Sequence, residues 1–226
     1  MILSIPFDEL SFYITKQLNF YFPDKFEVSK NQLDKNLKTA ISRLDFCFSK
    51  VVNRRYNTGS TTIYNHLYSD HNVLLYWFLA NTVWEQSHDT NLASKLYYLN
   101  KSMHGFDCMY DTKLPDIFLV FHGVGTMLGK ASYGNFFVAM QGCTVGSHKE
   151  RYPVFGKGVS LTANSSVIGN CSIGNRCSIS AGTQLFEKNM NSDETAFMNP
   201  STGILQIKQS KESYGKQFFN EEFFID

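Results

Sequence analysis

Between Phe155 and Leu185 the bulky apolar positions recur every six residues: Phe155, Leu161, Val167, Ile173, Ile179 and Leu185 keep the step without a slip. Small or turn-prone residues lie between them, among them Gly156, Gly158, Ala163, Asn164, Gly169, Asn170, Gly174, Asn175, Ala181 and Gly182. A period of six matches neither the 3.6 of an α-helix nor the 2 of an amphipathic strand. It is the mark of hexapeptide repeats whose coils stack into a parallel β-helix. Three short faces then make one coil of about eighteen residues, and each face sends one aliphatic side chain inward. Gly and Asn turn the chain at the corners because they tolerate positive φ.

Residues 1 to about 105 lack that period and read as helices. Phe7, Leu10, Phe12, Ile14 and Leu18 predict a first amphipathic segment, closed by a turn at Pro23. Leu33, Leu37, Ile41, Leu44 and Phe48, spaced by three and four, predict a second. Asn53 to Thr62 reads as a loop, Val73 to Trp84 as a buried helix, and Ala93 to His104 as a helix stopped by Gly105. From Asp107 the chain turns β-branched and Gly-rich, with less regular hexads. Val145 and Phe155 stand ten apart, so Gly146 to Pro153 is a loop thrown out from the coil. Beyond Leu185 the period ends and irregular chain is expected, with a last strand near Ile204 to Lys208 and a Phe-rich end, QFFNEEFFID, that docks on a neighbour or frays. The expected fold class is α+β: a helical assembly domain (1–105), a β-helix domain (106–186) and a C-terminal tail (187–226).

Composition narrows the classes. With 43% hydrophobic and 18% charged residues the chain can bury a core, and a net charge of +1 gives no pull toward nucleic acid or an anionic membrane. The five cysteines are odd in number and lack C-x-x-C spacing, so they are expected as reduced thiols in a cytoplasmic protein. The start, MILSIPFDEL, meets Asp8 too early for a signal peptide, and the apolar run Val73 to Ala80 is too short to span a bilayer. The six histidines show no metal-ligand spacing, so no metal is expected.

The candidate chemistry centres on His122, in His-Gly-Val-Gly, with Asp107 fifteen residues before it and Asp111 and Asp116 as competing acids. Gln141-Gly-Cys-Thr-Val-Gly146, Arg151-Tyr152-Pro153 and the stretch Thr162 to Asn170 follow. Over 107–183 these motifs resemble the serine acetyltransferases, and more closely the serine acetyltransferase-like proteins of bacterial surface-polysaccharide clusters. The resemblance implies a left-handed β-helix, assembled as a homotrimer or a dimer of trimers, that moves acetyl directly from acetyl-CoA to an acceptor. It implies His122 as general base oriented by Asp107, coenzyme contacts at Gly146, Thr162, Ala163 and Ala181, and a helical-domain acid, Asp70, that reaches the acceptor. The chemistry agrees: a thioester is already activated, so the task is removal of the acceptor proton. A histidine near neutral pKa suits that task, and a carboxylate on its other nitrogen fixes the tautomer.

Two departures bear on the acceptor. The serine enzymes carry an aspartate immediately before the catalytic histidine, where this chain has Phe121, and a loop histidine where it has Tyr152. Loss of a charge-assisted bond of that kind costs about 1.5–3 kcal/mol. Arg151 remains to clamp a carboxylate or a phosphate, and Gln141 is placed as a corner hydrogen-bonder near the site. An aromatic pair at 121 and 152 favours a sugar acceptor over serine. Serine O-acetylation and a non-catalytic trimeric scaffold are the alternatives. The chain ends Phe-Phe-Ile-Asp, not in the terminal isoleucine with which serine acetyltransferases dock into their sulfhydrylase partner.

Overall fold

Four helices come first along the chain: α1 (Phe7–Tyr21), α2 (Lys30–Ser49), α3 (Ser69–Ser87) and α4 (Thr90–His104). The computed structural model describes residues 1–220; the last six residues, and with them the chain's final Phe-Phe-Ile-Asp, lie outside the described residues. Leu10, Ile14 and Leu18 on α1, and Leu33, Leu37, Leu44 and Phe48 on α2, are fully buried, as one-face spacing requires. The Ser29 hydroxyl accepts from the Gln32 N–H at 3.3 Å and the Asp89 carboxylate from the Leu92 N–H at 3.0 Å, capping α2 and α4. Gly105, at φ 64, ends α4 in the left-handed conformation that Gly adopts without steric cost. Helix α3 is buried continuously from Asp70 to Val83 and is the centre of the helical half. Its Trp77 and Phe78 rings rest on Phe118 at 5.2 and 5.3 Å, joining the helices to the first strand of the solenoid. Strands β1 (Ile2–Leu3) and β2 (Ile63–Tyr64) form a separate parallel pair.

The rest of the chain coils. The first coil holds β3 (Phe118–Val120), β4 (Met127–Leu128) and β5 (Ser132–Tyr133). The second holds β6 (Phe137–Ala139), β7 (Thr144–Gly146) and β8 (Val154–Phe155). The third holds β9 (Ser160–Leu161), β10 (Ser166–Ile168) and β11 (Ser172–Ile173). The fourth holds β12 (Ser178–Ile179) and β13 (Gln184–Phe186) and closes at Met190, which bridges to Ile173. Each strand pairs in parallel with its equivalent in the next coil, giving three flat faces. The regular coils advance by eighteen residues, as in Leu161↔Ile179 and Val167↔Leu185. Across the loop after Gly146 the advance is twenty-two, as in Ala139↔Leu161 and Val145↔Val167. The loop is therefore a four-residue insertion. All six hexad residues from Phe155 to Leu185 are buried, and the irregular first half supplies Leu128, Tyr133, Ala139 and Val145 to the same inward columns.

The chain after Leu185 departs from expectation. β14 (Glu194–Met198) continues the first face, with Thr195 and Ala196 in register with Ser178 and Ile179, and β15 (Leu205–Gln209) folds back against it antiparallel. The solenoid therefore runs past residue 186. The segment that follows docks on its own chain: Phe219 is buried against Phe136 at 5.1 Å, and the Val52 N–H donates to the Phe218 carbonyl at 2.9 Å.

Candidate active site

One corner of the coil carries the candidate chemistry. On the three lower coils the step from the first face to the second takes five residues: Ala139 to Thr144, Leu161 to Ser166, Ile179 to Gln184. On the first coil it takes seven, from Val120 to Met127. The longer corner pushes out His122, which is exposed and sits at φ 52. Gly123 lies beneath it because a Cβ there would meet Val120 Cγ1 at 3.1 Å and Val73 of α3 at 3.6 Å. Backbone bonds stack the corners rung on rung: the Phe121 N–H to the Ala139 carbonyl at 2.9 Å, Met140 to Leu161 at 3.0 Å, Thr162 to Ile179 at 3.0 Å. Below His122 the same corner presents Gln141, then Thr162 and Ala163, then Ser180 and Ala181.

The acids divide differently from the sequence expectation. Asp70, at the start of α3, is 2% exposed, and its Oδ1 accepts from the His122 backbone N–H at 3.0 Å. Its Oδ2 is buried with no hydrogen-bond partner among the described residues. Burial pushes the Asp70 carboxyl above the usual carboxylate range, an effect the His122 N–H and imidazole, Tyr68 and Arg55 only partly offset. Asp107 spends its carboxylate elsewhere: the Tyr97 hydroxyl and the Lys101 ammonium each donate to it at 2.7 Å. Burial would raise its pKa, but those two bonds and the Lys101 charge hold it below the usual range. Among the described residues the His122 imidazole makes no hydrogen bond, to Asp107 or otherwise. The resemblance links Asp107 to the imidazole; the structure links Asp70 to the backbone of the same residue.

The remaining candidates fall in three places. Thr162, Ala163 and Ala181 line a groove of about 950 Å³ along the His122 corner, whose opposite wall is the chain's own segment 212–217. Gln141 stands on the same corner, with its side-chain Oε1 buried and without a partner among the described residues. Gly146 ends β7 and, with the exposed Arg151 and Tyr152 of the inserted loop, belongs to the next corner, across the second face. A single protomer does not bring these three to His122. Phe121 is 7% exposed, its ring covered by Phe218 at 4.7 Å and by Tyr56 at 6.1 Å, so it offers no open stacking face. Nothing in the sequence pattern announced the Phe218 contact. Among the described residues no group of three or more His, Cys, Asp or Glu is placed to hold a metal, and no helix is long and apolar enough to cross a membrane.

No protein-family model matches the sequence, and no curated protein matches it either. Solved structures do match the fold. Serine acetyltransferase from Neisseria gonorrhoeae superposes with a TM-score of 0.68 at 16% identity, over 93% of this chain and 81% of that one. The soybean serine acetyltransferase apoenzyme gives 0.68 at 21% identity, over 91% and 84%. Serine acetyltransferase isoform 3 from Entamoeba histolytica, solved in complex with cysteine, gives 0.57 at 19% identity, over 84% and 70%. The chain shares with them one fold, a helical N-terminal half followed by a left-handed parallel β-helix.

Proposed function

We propose that this chain is an acetyl-CoA-dependent acetyltransferase with His122 as its general base. The observation that carries the reading is the corner ladder: the groove at Thr162, Ala163 and Ala181 runs in line with His122 on one edge of the solenoid. From the Ser180 rung to the Phe121 rung is three inter-strand steps, about 14 Å at the usual strand spacing of ~4.8 Å. An extended thioester arm laid in the groove would point its acyl end at His122. His122 takes the proton of the acceptor hydroxyl as that oxygen bonds to the thioester carbonyl carbon. The carbon–sulfur bond then breaks and the proton passes to the departing sulfur, so no nucleophilic cysteine is needed. An amine acceptor would need the same base; a hydroxyl is the first reading.

For the acceptor, the leading reading is a sugar unit in surface-polysaccharide biosynthesis. The residue before His122 is an aromatic packed under Phe218, and a carboxylate to hold an ammonium is missing there. The second reading is serine O-acetylation, favoured by Asp70, whose unpartnered buried oxygen lies beside His122 and would accept from an ammonium. In either reading Arg151 and Tyr152, on another corner, would approach a His122 site from a neighbouring copy in a trimer. The five cysteines are all unpaired and buried, in keeping with a cytoplasmic enzyme.

The test is a thiol-release assay with acetyl-CoA against serine, nucleotide sugars and oligosaccharides, with His122→Ala as control. Turnover on a sugar, lost in the variant, is the expected result. Turnover on serine alone would replace the acceptor reading. Silence on all acceptors together with no coenzyme binding would leave a non-catalytic scaffold.

A further inference from the structure

A solenoid corner is convex, and by itself it forms no groove. The cavity of about 950 Å³ exists because the chain's own C-terminal segment stands opposite the corner. That segment, a 3₁₀ turn over Tyr214–Phe218, is fixed at both ends. At its start the Tyr214 N–H donates to Ser178 Oγ at 3.0 Å, and the Ser213 hydroxyl to the Gly158 carbonyl at 3.4 Å. At its end the Phe218 ring lies on Phe121, Phe219 is buried on Phe136, and the Asn220 N–H donates to the Lys50 carbonyl at 2.9 Å. Ser178 precedes the Ser180 rung, and Phe121 directly precedes His122. The segment therefore lies across the first face beside the same corner, from the fourth coil up to the candidate base, and touches the corner at Met140, whose Sδ the Tyr214 hydroxyl reaches at 3.4 Å.

We propose that the segment from Glu212 to Phe219 is the second wall of the coenzyme groove, contributed in cis, and that the Phe218–Phe121 contact sets the width of the groove where it reaches His122. The inference rests on the acetyl-CoA reading given above. The ligand class follows from the two walls. One offers small side chains, Thr162, Ala163, Ser180 and Ala181, against which an extended chain lies flat. The other offers Ser213, Tyr214 and Gln217 for amide groups, with the Lys216–Glu212 ion pair at 2.7 Å on its exposed side. That pairing suits a pantetheine arm, whose amides need lateral partners and whose phosphates favour a cation nearby. The position before His122, where the similar serine enzymes hold a carboxylate, is here the socket for the wall.

The experiment is calorimetric titration of coenzyme A into the full-length protein and into Tyr214→Ala and Phe218→Ala variants, with melting curves for each. The expected result is binding to the wild type, weakened at least tenfold in both variants, whose melting temperatures stay close to wild type. Unchanged or tighter binding in the variants overturns the cis wall and leaves the acetyltransferase reading standing. No binding to the wild type overturns the acetyltransferase reading, and the wall with it. A second readout does not depend on the variants. Coenzyme A should slow tryptic cleavage after Lys216 in the wild-type protein, and cleavage unaffected by saturating coenzyme would also overturn the wall.

Discussion

His122 holds a left-handed conformation, φ 52, which costs a non-glycine residue of order 1–3 kcal/mol, and the bond from its N–H to Asp70 helps keep it there. The buried carboxylate thus holds the backbone of His122, and the exposed imidazole is left without a hydrogen bond among the described residues. Replacement by Asn, which tolerates the same φ, should leave the fold intact and lower kcat by about 10²–10⁴, the usual share of a general base. A loss of less than tenfold in steady-state turnover would remove His122 from that role. Asp70 invites a sharper prediction. Its folded pKa is raised, so its ionised form is a burden on the native state: the folded chain binds the proton more tightly than the unfolded one, and stability falls as pH rises from the ordinary carboxylate value through the folded one. Asp70→Asn keeps an acceptor for the His122 N–H and removes the buried charge, so the melting temperature at pH 7 should rise while turnover falls. A variant equally active and no more stable would mean that Oδ2 matters to neither. Asp107→Asn, by contrast, loosens Tyr97 and Lys101 and should cost turnover far less than His122→Asn. A loss as deep would show that Asp107 swings to the imidazole in the working enzyme. Motif spacing singles out His122 and Asp107 as candidates, and the structure shows no bond between them. The Asp70 contact was only half legible, because it joins positions fifty-two residues apart in sequence through the packing of α3 on the first coil.

At the scale of elements, the six-residue period reported what it physically depends on, an inward aliphatic side chain on each face. It was legible wherever that residue is bulky and the corners are of equal length, from Phe155 to Leu185. It blurred before Gly146 because the His122 corner carries two extra residues and the loop after β7 carries four. It was lost at β14 because the inward residue there is Ala196, too small to register as apolar periodicity, although it sits directly below Ile179. The candidate residues sit on those irregularities: the long corner exposes His122, and the long loop carries Arg151. The regular coils supply stability. Leu161→Ala, at a fully buried position between Ala139 and Ile179, should cost about 2–5 kcal/mol by denaturant titration. A cost below about 1 kcal/mol would mean that the coil closes around the missing atoms more easily than a close-packed interior does.

Across the whole molecule, two buried histidines tie stability to pH. His71 on α3 is enclosed by the rings of Phe48, Tyr56 and Tyr68 at 5.0, 4.6 and 4.7 Å, and its Nδ1 accepts from the Asn65 N–H at 3.0 Å. His104, in the last turn of α4, pairs its Nδ1 with Asn100 at 2.8 Å and packs against Tyr76. Burial pushes each imidazole down to about 4. Between that value and the ordinary 6.5 the unfolded chain binds more protons than the folded one, so stability rises with pH across the window and is lost as pH falls through it. At pH 5 each histidine withholds about 2 kcal/mol relative to pH 7. Two together should lower the melting temperature by on the order of 10 °C for a chain of this size. The raised carboxyl of Asp70 acts in the opposite sense over its own range. His71→Gln with His104→Gln, each keeping a side-chain acceptor, should flatten the profile between pH 7 and pH 5. A wild-type profile already flat, or a double variant just as steep, would mean that these imidazoles gain their protons without unfolding the helical half. In that event the packing of α3 on Phe118, beneath the His122 corner, would tolerate acid.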